Sequence, residues 1–158
     1  MNQKTNLNPQ RSMLLLVLSV LLSVPLLAQQ PQMEKLNEEQ LSQENINTAQ
    51  KLADDILSSM SEGSYYTFKE GEALPIVEQQ FNEDMQKQQY QMIKSQLGEY
   101  QSGLEYQEAY QAEQAGQEFT IFRFRGEFGQ GQPEVRMVFT TDMQMAGLQI
   151  LPWQEQMQ

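Results

Sequence analysis

The chain has 158 residues, with ten basic residues against twenty-one acidic ones, no histidine and no cysteine, for a net charge of −11. These counts exclude disulfides, histidine- or cysteine-based nucleophilic triads and the usual zinc-ligand sets. So acidic a surface repels phosphates and anionic headgroups, so no nucleic-acid partner is expected.

Residues 1–28 have the layout of an export signal. Lys4 and Arg11 precede an uncharged apolar run over 13–27, broken by Pro25 and closed by Ala28. At about 15 residues the run is shorter than the roughly 20 that a bilayer span needs. Cleavage after Ala28 is therefore expected, with a secreted or periplasmic destination and no stable membrane insertion afterwards. The alternative is an uncleaved N-terminal anchor. Residues 29–44 are rich in Gln, Glu and Asn and read as a flexible leader, helical toward its end. One domain over 45–154 and a short tail over 155–158 complete the expected organisation.

The first helix is expected over 45–60. Ile46, Ala49, Ala53, Ile56, Leu57 and Met60 fall on one side, with Asn45 or Asn47 as N-cap and Gly63 as the stop. A short aromatic stretch, 64–68, is either a brief extended piece or a turn. Residues 75–97 are helical again, opened by Pro75 and closed by Gly98. Their apolar groups Ile76/Phe81/Met85 and Tyr90/Ile93/Leu97 do not form one stripe, which predicts two helices with a bend near 85–88. A first strand is expected over 104–112, with Tyr106 and Tyr110 both pointing inward.

Residues 119–152 organise the rest. Apolar and polar residues alternate through Phe122-Arg123-Phe124-Arg125 and through Val135-Arg136-Met137-Val138-Phe139, separated by the turn-forming runs 126–133 and 141–144. That period marks antiparallel strands with one buried face. The predicted fold is α+β, with N-terminal helices packed on a curved four-stranded antiparallel meander.

Several segments carry a resemblance. Phe81-Asn82-Glu83-Asp84-Met85 is followed by Gln96-Leu97-Gly98-Glu99-Tyr100, the aromatic strand pair, Arg136-Met137-Val138-Phe139, and Met145-Ala146-Gly147-Leu148 before Pro152. The set is similar to a family of secreted bacterial domains of unknown function that stand alone or precede an α/β-hydrolase domain. The resemblance covers about residues 49–152 and implies a cystatin-like or nuclear-transport-factor-like cone. It implies no catalytic residues, and no attached hydrolase domain is expected after 153–158.

The chemistry-bearing residues are few. Asp54 and Asp55 are adjacent on the first helix, point roughly 100° apart and read as a solvated face. Glu83 and Asp84 read as capping or exposed acids. Gly129 and Gly131 are expected at positive φ in a turn, and Gly147 marks a bulge or bend. Arg123 and Arg125 share a strand face by parity, with Arg136 able to oppose them on the next strand. Pairing with Glu127, Glu134 or Glu118 is one reading of these arginines; the other is contact with an anion or carboxylate on a partner. Most of the aromatics, including Phe119, Phe122, Phe124, Phe128 and Phe139, read as core.

These residues point to an exported, non-catalytic binding or interaction domain without a cofactor, whose partner is a small molecule or an envelope protein. Its binding residues are expected among Arg123, Arg125, Arg136, Tyr106, Tyr110 and Trp153. Two rivals remain open. One is a small cone enzyme with a carboxylate beside Tyr90, Tyr106 or Tyr110; the other is a structural module that pairs its sheets as a homodimer.

Overall fold

The computed structural model describes residues 33–155 apart from residue 38. The stretch expected to be an export signal, residues 1–28, and residues 156–158 of the expected tail lie outside the described residues. Eight elements follow in order: β1 (Met33–Lys35), α1 (Gln43–Glu62), α2 (Pro75–Gln80), α3 (Glu83–Leu97), β2 (Glu105–Gln114), β3 (Gln117–Arg125), β4 (Glu134–Thr140) and β5 (Met145–Leu151). The fold is α+β. All strands pair antiparallel with their sequence neighbours in one sheet of order β1-β2-β3-β4-β5. That makes five strands where four were expected, because Met33–Lys35, within the expected leader, pairs with Ala112, Gln111 and Tyr110. Three residues are too few for alternation to show.

Helix α1 starts earlier than its apolar period. Its N-cap is Ser42, whose hydroxyl accepts from the Asn45 amide, rather than Asn45 or Asn47; such a cap is worth about 1 kcal/mol. Gly63 ends it at φ 72°. The apolar stripe of α1 packs on one sheet face, where Ile56 and Leu57 are fully buried. Each contributes about 1.5–3 kcal/mol of burial. The opposing sheet residues are Ala109, Phe122, Phe124, Val135, Met137, Phe139, Leu148 and Ile150, all in the same core cluster. Phe122 and Phe139 meet edge to face at 5.7 Å.

The break between the second and third helices falls at Phe81–Asn82, four residues before the expected bend. Asn82 caps α3 by accepting from the Met85 amide, and it is this cap, not the change of stripe, that sets the boundary. Gly98 closes α3 at φ 79°, where a Cβ would stand 3.0 Å from the Gly129 Cα. The turn 126–133 folds back onto this end, with the Gly129 amide donating to Glu99 and the Gln130 amide to Leu97. The close backbone approach thus requires glycine at Gly98, while a Cβ at Gly129 would meet only ordinary contacts at 3.6 Å or more; of the two turn glycines expected at positive φ, only Gly131 adopts it. Ala115 and Gly116, both at positive φ, make the two-residue β2–β3 hairpin loop. The irregularity expected at Gly147 is present as a register shift between β4 and β5.

Candidate functional site

The second face of the sheet carries the arginines. Register places Glu108, Arg123, Arg136 and Gln149 in one row across β2 to β5, with Arg125 and Glu134 paired in the next. Four cations, Lys35, Arg123, Arg125 and Arg136, thus share a face with Glu105, Glu108 and Glu134. The strand residues of this face carry four cations against three acids, with Glu155 beside them through its bond to Trp153, on a chain of net −11. The parity argument for the arginines therefore holds.

Arg123 is fully buried and is the hub of the row. Its Nη1 donates to Glu108, and its Nη2 donates to Glu134 at 2.6 Å and to the Gln154 carbonyl at 2.7 Å. Arg136 Nε donates to the other oxygen of Glu134 at 2.7 Å, and Lys35 donates to Glu108 at 2.6 Å. Of the expected acidic partners, only Glu134 takes part. Glu108 completes the network, and parity counted from Tyr106 hid it. A bulge between Tyr106 and Glu108 shifts the register by one residue, sending Tyr106 to the helix face and Tyr110 to the arginine face. The expectation that both tyrosines point inward is therefore corrected: Tyr106 packs against Phe124 at 6.0 Å, while Tyr110 lies beside Glu108.

Burial pushes the Glu108 carboxyl up, but hydrogen bonds from Lys35 and Tyr110 and the charge of Arg123 outweigh it, holding the group below its ordinary value. Burial, then the hydrogen bond to Glu108, raises Tyr110. Burial lowers the Arg123 guanidinium, while its bond to Glu134 and the nearby carboxylates raise it by more, so it stays charged.

Trp153, just past β5, covers this network. The guanidinium carbon of Arg125 lies 4.1 Å from its ring centroid and that of Arg123 lies 5.0 Å away. Arg125 makes no ion pair among the described residues, and the Nε atoms of Arg123 and Arg125 are both buried without a partner. The arrangement offers a half-buried indole, whose N–H donates to Glu155 at 3.3 Å, beside a guanidinium with no direct ion pair among the described residues, a combination suited to carboxylate or other anion contact.

On the helix side, a groove of about 370 Å³ runs between α1 and the loop before β2, lined by Asn47, Gln50, Lys51, Asp54, Gly103 and Leu104. Asp54 was expected on a solvated face; instead it is half-buried and accepts from the Tyr100 hydroxyl at 2.5 Å. Burial and this bond raise Tyr100 above the ordinary tyrosine range, so it acts as a hydrogen-bond donor that keeps its proton. No sequence signal links these two residues, which lie 46 positions apart. Glu83 and Asp84 are exposed in the first turn of α3. Tyr90 donates to Ser61 at 2.9 Å. Among the described residues no group of acids could hold a metal ion, and no helix is long and apolar enough to cross a membrane.

Compared with protein-family models, with curated proteins and with solved structures, the chain finds no match.

Proposed function

We propose that this is an exported, non-catalytic binding domain of the cystatin-like or nuclear-transport-factor-like cone type, whose working surface is the arginine face of the sheet. Its ligand carries a carboxylate or comparable anion and is a small molecule or an envelope protein. The observation that carries the reading is Arg125, stacked under Trp153 without a carboxylate of its own on an otherwise acidic chain. Arg136 stands diagonal to it across the β3–β4 register, with Nε already committed to Glu134 and its Nη atoms left over. The indole contact is made by Arg125, with Arg136 one register position away on the same face. Arg123, fully buried and triply bonded, positions Trp153 and is not itself a ligand contact.

Trp153 is the single tryptophan of the chain, so its emission reports on this face. Full-length protein titrated with hexaglutamate is expected to show a saturable change in emission that weakens as salt rises. Hexalysine is expected to leave the emission unchanged, and Arg125→Gln to abolish the response. No response to hexaglutamate or to succinate at low salt would remove the arginine face as a binding surface.

A further inference from the structure

The groove beside α1 lies across the sheet from the arginines and has a chemistry of its own. Asn47, Lys51 and Asp54 stand at i, i+4 and i+7 on α1 and so form one stripe, with neighbours about 5–6 Å apart. Asn47 and Lys51 are exposed and Asp54 is half-buried, and together they line one side of the open groove. The opposite wall is Gly103 and Leu104. The Gln50 amide donates to the Leu104 carbonyl at 2.8 Å and ties that loop to the helix. Ser102 and Gly103 both adopt positive φ, 81° and 82°, and nothing stands within 4 Å of where a Gly103 side chain would begin. The loop therefore shows bare backbone to the groove.

Each polar group of the stripe is held by one bond and keeps capacity for another. Asn47 accepts from Gln43 through Oδ1, which turns its amide nitrogen into the free donor. Lys51 spends one proton on Asp55 and has two left. Tyr100 donates to Oδ1 of Asp54, while Oδ2 makes no hydrogen bond to a described residue. The result is two donors followed by an acceptor along the stripe, beside the apolar Leu104. An anionic ligand would meet Asp54, and a cationic one would meet Lys51. A neutral ring bearing vicinal hydroxyls satisfies both, because each hydroxyl donates and accepts.

We infer that this groove is a second binding site, one that takes a neutral sugar or similar polyol through Asp54, Asn47 and Lys51. Tyr100 is a positioning residue that holds the Asp54 carboxylate toward the groove. The inference is independent of the arginine face.

The test is a titration of full-length, nitrogen-15-labelled protein with maltose, lactose and, separately, putrescine, followed by backbone amide shifts. A saturable shift confined to residues 47–54 and 100–104 is expected with at least one of the disaccharides. Asp54→Asn keeps an oxygen for Tyr100 and is expected to weaken sugar binding by about tenfold or more. Asn47→Ala, at an exposed position, is expected to weaken it without touching the fold. Arg125→Gln is expected to leave it unchanged. The assignment is overturned if neither sugar shifts these amides, if both groove variants bind sugar as the parent does, or if putrescine alone binds and Asp54→Asn abolishes it.

Discussion

Trp153 lies over Arg125, with the guanidinium carbon 4.1 Å from the ring centroid, and it does so from a segment that belongs to no strand. The contact ties the end of the described chain to the middle of the sheet, because the neighbouring Gln154 carbonyl accepts from Arg123. Replacing Trp153 by Ala removes one cation–π partner shared by two arginines, a loss of about 0.5–2 kcal/mol. Phe in its place keeps a ring and is expected to restore part of that. Urea unfolding followed by circular dichroism measures both; a Trp153→Ala variant as stable as the parent would show that the stack contributes nothing.

Arg123 poses a sharper question, since a fully buried guanidinium is expensive unless its carboxylates stay with it. Arg123→Met leaves Glu134, itself almost wholly buried, with Arg136 alone. A loss of about 3–5 kcal/mol is expected from breaking the buried pair. Removing the charges together, as Glu108→Leu, Arg123→Met and Glu134→Leu in one chain, is expected to recover part of it, because the buried carboxylates leave with the guanidinium and only Arg136 and the largely exposed Lys35 lose their partners. Recovery would show that the ions specify the face more than they stabilise it. An unrecovered triple variant would instead show that the bonds themselves hold the sheet.

Glu108 sets the acid limit. Its folded-state carboxyl is held below the ordinary glutamate value of about 4.3, so the unfolded chain binds the proton more readily. The stabilisation is therefore complete above about pH 4.3 and is lost as the pH falls through the lower folded value. Glu108→Gln is expected to be less stable than the parent by about 1.5–3 kcal/mol at pH 7, with the gap closing below pH 4. Melting temperatures between pH 3 and pH 7 give the comparison. A gap that stays constant over that range would mean that the charge of Glu108 is not what matters.

Legibility in the sequence followed regularity. The helices 43–62 and 83–97 and the strands 117–125 and 134–140 carry uninterrupted periods, and the parity of Arg123, Arg125 and Arg136 placed them on one face as expected. What escaped breaks a period or has none. The bulge after Tyr106 inverts parity for the rest of β2, which misplaced Tyr110 and concealed Glu108. Strand β1 is too short to alternate, yet it delivers Lys35 to the network. The Asp54–Tyr100 bond depends on how α1 and the segment after α3 meet, a tertiary matter that local spacing does not encode.

Gln86 illustrates the same limit and yields the last prediction. It reads as one polar residue among many in α3, but it is almost fully buried. Its Oε1 accepts from the Tyr66 amide at 2.8 Å, and its Nε2 donates to the Tyr66 and Phe81 carbonyls at 2.8 and 2.9 Å. One side chain thereby supplies the strand-like pairing that residues 64–68 lack and ties them to the α2–α3 junction. Gln86→Leu keeps the volume but strands these backbone groups, at about 1–3 kcal/mol for each one left unsatisfied away from water. The expected result is a loss of at least about 2 kcal/mol in global stability, together with faster hydrogen exchange of the Tyr66 amide. Gln86→Glu separates hydrogen bonding from charge. A carboxyl buried there has its pKa raised, so this variant is expected to be closest to the parent at low pH and to weaken as pH rises through that value, the reverse of the Glu108 dependence. If the Tyr66 amide exchanges no faster in Gln86→Leu than in the parent, the clamp does not hold the segment and its order comes from its other contacts, the Tyr66 hydroxyl on Glu72 and Phe68 on Phe81.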